Sequence, residues 1–117
     1  MKFSTGCDIE EIKKFKNKIS DDHFLKMVYT KGELEYCMDK KNPAPHLAVR
    51  WCAKEAVIKA LAGFAINSVE FINIEIKKNN EGCPIVHISD PRCRDFEARV
   101  SLSHAGGMAM ATAIIMI

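Results

Sequence analysis

The chain has 117 residues, 48% of them hydrophobic and 27% charged, with a formal net charge of +2. That size and balance describe one soluble globular domain able to bury roughly two-thirds of its unfolded surface. They exclude a disordered chain, and the charge is too small to argue for nucleic acid. Five cysteines stand at wide, irregular gaps with no C-x-x-C pair, which speaks against a zinc site and for a reducing compartment. No signal peptide is visible, and the apolar run MAMATAIIMI is far shorter than the roughly 20 residues of a membrane span. A cytoplasmic protein is expected.

In chain order, residues 3–9 read as a strand that ends near Asp8. Ile9, Ile12, Phe15 and Ile19 then recur at helical spacing, which predicts a helix. Lys13, Lys14, Lys16 and Lys18 would form its solvated side or a dock for an acidic partner. Ser20-Asp21-Asp22 supplies cap chemistry for a short turn holding Phe24, Leu25 and Val28. Thr30-Lys31-Gly32-Glu33 matches a capping box and predicts a helix to about Lys40. Residues 42–45 read as a loop, followed by a long central helix from about His46 to Ala62 with Gly63 as its C-terminal cap. Beyond it the period changes. Phe71, Ile72, Ile74 and Ile76 read as a strand, residues 79–82 as a hairpin turn, and residues 84–89 as the returning partner. Phe96, Ala98, Val100 and Leu102 alternate with polar residues, and Ala105-Gly106-Gly107 turns this strand into a last, apolar one. Early helices and late antiparallel strands make an α+β domain over 1–117, with no repeat or linker.

Three places carry candidate chemistry. Asp8, between a β-run and a helical pattern, suits an N-cap or a carboxylate aimed into a cleft as a metal ligand. Glu55 and Lys59 lie roughly 40° apart on the central helix. They are either a surface i,i+4 pair or the wall of a cleft, since Trp51, Val57 and Ile58 flank them with apolar surface. Arg50 and Lys54 form a second strip that points elsewhere. If Asp8 and Glu55 meet, two carboxylates make a site for Mg2+, which takes one or two protein carboxylates and fills its shell from water and phosphate. Lys59 would neutralise a phosphate oxygen, an arrangement suited to phosphoryl-type transfer. Ser101 and Ser103 share a strand face while His104 stands at the strand exit, as a hydrogen-bonded surface residue or a phosphate donor. Neighbouring strand residues point apart, so serine and histidine do not make a nucleophilic pair. His23, His46 and His87 form no recognisable ligand set.

These pieces stand in an order that resembles the holo-acyl-carrier-protein synthases, the short group of 4′-phosphopantetheinyl transferases. Gly6-Cys7-Asp8-Ile9-Glu10-Glu11-Ile12 is similar to their G-x-D-I-x-E-I opening. Arg50-Trp51-Cys52-Ala53-Lys54-Glu55-Ala56 with Lys59-Ala60 resembles their R-[FW]-x-x-K-E-A-x-x-K-A signature. Further landmarks follow at Thr30–Glu33, Ile74–Ile76, Gly82–Pro84 and Ser101–His104. The resemblance implies a 4′-phosphopantetheinyl transferase-like fold, with N-terminal helices and a long central helix packed on an antiparallel sheet. It implies transfer of phosphopantetheine from coenzyme A to a serine of an apo acyl carrier protein, releasing 3′,5′-ADP. By position, Asp8 and Glu55 would hold Mg2+ and Lys59 would contact the pyrophosphate. Arg50 and His104, with help from Lys41, would bind the 3′-phosphate, and Gly63 opens a loop placed against coenzyme A. Lys14 falls where the family often has an arginine facing the acidic carrier. The family assembles as a homotrimer with active sites between subunits, so Arg50 and His104 need not come from Asp8's chain. The sequence departs at Val49, where a glycine is common, and at residues 63–67, a shorter and less glycine-rich loop.

Two other classes stay open. A non-catalytic relative would bind coenzyme A or a carrier without transfer. A small basic nucleic-acid binder would show steep salt dependence, but the chain lacks the charge and the aromatic platform for it.

Overall fold

The first strand runs further than its sequence suggests. In the computed structural model, which describes residues 2–117, β1 spans Phe3–Glu11 and pairs antiparallel with the last strand, β5 (Met108–Met116). The register runs from Phe3↔Met116 to Glu11↔Met108, and Ile12 N–H continues it to the Gly107 carbonyl at 2.9 Å. β5 also pairs with β4 (Glu97–Ala105), so the sheet order is β1-β5-β4. A separate two-stranded sheet joins β2 (Ile74–Lys78) to β3 (Pro84–Ile88). Between β1 and β2 lie α1 (Asp22–Val28), α2 (Lys31–Met38) and the long α3 (Pro43–Ala62). The α+β class and the central helix on an antiparallel sheet are as expected.

Pairing partners share a sheet face, so the register defines rows across the three strands. Ser4–Ile115–Ala98, Gly6–Ala113–Val100, Asp8–Ala111–Leu102 and Glu10–Ala109–His104 all face α3. The central strand presents alanines, which lets the helix lie close. At β1 the approach is closest: a Cβ on Gly6 would stand 2.1 Å from the Ala56 carbonyl oxygen and 2.9 Å from the Ala60 nitrogen. Ala56 and Ala60 are themselves fully buried.

α3 is buried on most sides, which explains its near-continuous apolar sequence. Trp51 stacks on Phe71 at 4.5 Å and on Phe24 at 5.8 Å, tying α1 and the segment before β2 to the helix. On another side Lys54, fully buried, reaches Glu33 Oε1 at 2.7 Å and the carbonyls of Val28 and Phe71 at 2.6 and 3.0 Å. Glu33 accepts from Thr30 N–H and from Ile76 N–H, both at 2.8 Å, so all four of these segments meet at one ion pair. Burial pulls the Lys54 ammonium below its usual range, and Glu33 works against that shift.

The capping box at Thr30 and Glu33 is present, Asp21 caps α1, and Gly63 ends α3. Four readings are corrected. The helix predicted over Ile9–Ile19 is strand to Glu11 and then two single 3-10 turns, Ile12–Phe15 and Lys18–Ser20. The β5 ladder gives residues 9–11 backbone partners that outweigh a short helical repeat. Asp8 is accordingly not an N-cap; it sits inside β1 opposite Ala111. Pro43 and Pro45 do not lie in a loop but open α3, where proline's fixed φ and missing N–H fit the first turn. Phe71 and Ile72 form a 3-10 turn before β2 rather than its first residues.

Two substitutions test this packing. Gly6→Ala should lower stability by at least about 3 kcal/mol, because backbone cannot rotate away as an overpacked side chain does; urea unfolding measures it. Lys54→Met should cost about 3–5 kcal/mol by leaving Glu33 buried and unpaired. Adding Glu33→Gln should recover part of that loss, and a double variant no better than the single would contradict the ion-pair account.

Candidate functional site

Side-chain alternation along β1 places Asp8 toward α3, two residues past the glycine contact. There it meets the helix at Lys59, whose ammonium donates to Asp8 Oδ1 at 3.2 Å and to the Cys7 carbonyl at 2.8 Å. These contacts raise the Lys59 pKa, the hydrogen bond with Asp8 contributing most, so the ammonium stays charged. The other carboxylate oxygen, Asp8 Oδ2, is buried with no hydrogen-bond partner among the described residues. One turn back, half-buried Glu55 has its pKa raised, first by desolvation and then by the charge of Asp8, with Glu10 adding to it. Beneath them lies the buried Cys52 thiol, which donates to the Ala109 carbonyl at 3.5 Å and is pushed up to about 12, chiefly by burial. Asp8, Glu55 and Lys59 therefore do converge. The Glu55–Lys59 strip faces β1, not open solvent on all sides. An unpartnered buried carboxylate oxygen beside a second carboxylate fits a hard divalent cation.

A second cluster lies on another side of α3. Arg50 and His104 line one cavity of about 370 Å³ together with His46, Lys78 and Cys83. Arg50 is 2% exposed; its Nη1 donates to the His46 carbonyl at 3.2 Å, while its Nε has no partner among the described residues. His104 is exposed one step past half-buried Val100 and Leu102 on the face of the sheet toward α3. Glu55 and Arg50 are five residues apart, roughly 140° around the helix. The edge strands β1 and β4, which carry Asp8 and His104, lie about 10 Å apart across β5. One chain thus holds a carboxylate cluster and a cationic cavity on two flanks of the same helix.

Other expected residues fall elsewhere. Lys41 lies exposed in the bend before α3 and does not line the Arg50–His104 cavity. Gly63 packs against β1: a Cβ there would stand 2.0 Å from Ser4 Oγ. The loop after it holds Ala65 and Ser68 at φ of 60° and 63°, a left-handed geometry that costs about 1–2 kcal/mol per non-glycine residue. Lys13, Lys14 and Lys16 are exposed on and just after the first 3-10 turn, where Lys14 pairs with Glu10 at 2.9 Å and Lys13 with Glu11 at 3.1 Å, while half-buried Lys18 lies over the Phe24 ring at 4.7 Å. Sequence reasoning missed Lys54 as a core ion, and it missed Tyr36, His46 and Lys78 around Arg50. The available signal for Lys54 was its place in an otherwise buried helix.

The profile of the 4′-phosphopantetheinyl transferase superfamily matches residues 4–113. The holo-[acyl-carrier-protein] synthase of Chlorobium limicola is 37% identical over 116 residues, covering 96% of this chain and 92% of its own. That of Thermodesulfovibrio yellowstonii is 40% identical over 113 residues, covering 94% and 95%. Among solved structures, the acyl carrier protein synthase of Mycobacterium tuberculosis aligns with a TM-score of 0.77 at 33% identity, covering 97% of this chain and 96% of that one. The holo-(acyl-carrier-protein) synthase of Bacillus anthracis, solved in complex with CoA (3′,5′-ADP), aligns at 0.79 with 26% identity, covering 96% and 94%. With its fold, its ordered motifs and these relatives in agreement, the chain belongs to the 4′-phosphopantetheinyl transferase superfamily and, within it, to the holo-acyl-carrier-protein synthases.

Proposed function

We propose that this protein transfers 4′-phosphopantetheine from coenzyme A to a serine of an apo acyl carrier protein, releasing 3′,5′-ADP. The observation that carries this reading is the junction of β1 and α3, where Asp8 offers a buried, unpartnered oxygen beside Glu55 and Lys59. Asp8 and Glu55 would hold Mg2+, which when bound supplies positive charge to the pyrophosphate of the donor. Lys59, held over β1 by Asp8 and the Cys7 carbonyl, is placed to meet the same phosphates and to favour charge developing on the departing 3′,5′-ADP. Arg50 and His104 would take the 3′-phosphate. In catalysis by positioning, these contacts orient the donor for in-line attack by the carrier serine.

The two flanks of α3 bear on assembly. We propose a homotrimer in which one subunit supplies Asp8, Glu55 and Lys59 while its neighbour supplies Arg50 and His104. A single chain sets the two clusters roughly 140° apart around a buried helix, which favours a donor held between chains over one held within a chain. The exposed Lys13, Lys14 and Lys16, with half-buried Lys18 beside them, suit an acidic carrier docking beside β1.

Intact-mass measurement tests the reaction. Apo acyl carrier protein incubated with this protein, coenzyme A and magnesium should gain one phosphopantetheine, with no gain in chelator or with Asp8→Ala. Coenzyme A binding without any gain on several apo carriers would instead support the non-catalytic reading.

Glu55 supplies a second test. Its folded pKa is raised, so between the unfolded and folded values the native state holds more protons than the unfolded chain, and stability falls as pH rises through that window. In chelator at pH 7, Glu55→Gln should therefore melt above the wild type, the difference vanishing below about pH 4. Added magnesium should raise the melting temperature of the wild type by mass action and leave Glu55→Gln unmoved. An Asp8–Glu55 pair without a cation site predicts no magnesium effect on either protein.

A further inference from the structure

Glu10 lies between the carboxylate cluster and the lysines that follow β1. It stands two residues beyond Asp8 on β1 and faces α3 with it, in the row Glu10–Ala109–His104. Residues two apart on a strand are separated by about 7 Å, so its carboxylate reaches the neighbourhood of the Asp8–Glu55 pair. The charges of Asp8, Glu10 and Glu55 all bear on the buried Cys52 thiol, and Glu10 adds to the raised pKa of Glu55. In this arrangement, however, Glu10 is held by a lysine. Its Oε1 accepts from Lys14 Nζ at 2.9 Å and from the Glu11 N–H at 3.2 Å. Among the described residues no three acidic, histidine or cysteine side chains are yet gathered as a cation site.

The pairing is mutual: Lys14 holds the Glu10 carboxyl below its usual pKa, and Glu10 raises that of the Lys14 ammonium. Both partners reach solvent, with the lysine side chain 59% exposed and the glutamate 27%. An exposed pair of this kind contributes little to stability, so a carboxylate on an arriving protein can take the place of Glu10 at small cost. Lys13 makes a comparable pair with Glu11 at 3.1 Å, but Glu11 alternates to the sheet face away from α3. Of the two glutamates, Glu10 alone faces the carboxylate cluster.

We propose that Glu10 couples carrier docking to cation binding. In the free protein Lys14 offsets its charge. An acidic carrier that takes Lys14 leaves Glu10 charged and unpaired beside Asp8 and Glu55, and the added negative charge strengthens the attraction for a divalent cation. By linkage, a bound cation favours the state with Glu10 released, and so favours the carrier by the same factor. The inference rests on the docking and cation readings above and deepens them: Glu10 acts through its charge, as the residue by which each site senses the other.

Calorimetric titration of the full-length protein with apo acyl carrier protein, without coenzyme A so that no transfer occurs, tests this in magnesium and in chelator. The wild type should bind the carrier about fivefold more tightly in magnesium, the lower end of typical coupling between sites. Glu10→Gln leaves Lys14 without its internal competitor. It should bind the carrier more tightly than the wild type in chelator and gain little more in magnesium. Glu11→Gln frees Lys13 in the same way but should keep the magnesium gain. A full magnesium gain in Glu10→Gln, at unchanged melting temperature, would overturn the coupling while leaving the docking reading in place. A wild type that binds the carrier equally in both buffers, while magnesium still raises its melting temperature, would do the same. Without that melting shift the cation reading fails and takes the inference with it. A wild type that binds no apo carrier in either buffer would overturn the docking reading and this inference together.

Discussion

The site depends on how closely β1 can approach α3. With hydrogen alone at Gly6, the strand backbone rests against the helix backbone at Ala56 and Ala60. Two residues later the same strand face carries Asp8, which the approach brings within hydrogen-bond range of Lys59. Another two residues on, Glu10 adds its charge to the neighbourhood of Glu55. The alanines of β5 extend the same close contact across the sheet, so the helix is seated against one flat, small-residue face. Any side chain at position 6 would push the strand off the helix and loosen the hydrogen bonds it positions.

α3 in turn serves several polar tasks from one buried rod. Glu55 and Lys59 face β1, Arg50 faces the cavity beneath β4 and the β2–β3 hairpin, and Lys54 points into the interior. The Lys54–Glu33 pair is the counterweight. It joins α2, α3, the end of α1 and β2 through hydrogen bonds that each need one arrangement of the chain. A buried ion pair contributes little net stability against an apolar alternative. Its value here is register: with Glu33 bound to Ile76 N–H and Lys54 to the Phe71 carbonyl, the hairpin carrying Lys78 is fixed against the helix carrying Arg50.

Much of this was legible in the chain. The capping box, the long helix, the hairpin and the alternating β4 all follow from local chemistry, and the ordered motifs around Asp8 and Glu55 picked out the cluster that forms. What could not be read locally depended on distant partners. Residues 9–11 have a helical repeat, but their ladder partner is nearly a hundred positions away in β5, and no local pattern signals it. Lys54 and Arg50 look like a polar strip because their charges are visible in sequence while the groups that enclose them are not. Tyr36 and Lys78 carry no motif at all; α2 and β2 bring them to Arg50. Lys41, assigned by its position along the chain, lies exposed in the bend before α3.

The two flanks of α3 carry opposite electrostatic imbalances. On the β1 side, carboxylates lie close together, one oxygen is unpartnered, and Glu55 is held above its usual range. On the other side, Lys40, Arg50 and Lys78 share the Tyr36 ring and a buried guanidinium nitrogen lacks an acceptor. Each arrangement lowers the stability of the free protein, and each would be relieved by a ligand of the opposite sign. A donor carrying both a cation-bound pyrophosphate and a separate phosphate monoester relieves the two together. In the proposed assembly such a donor would lie between the carboxylate flank of one copy and the cationic flank of another, and binding energy from the remote phosphate would help to position the reacting one.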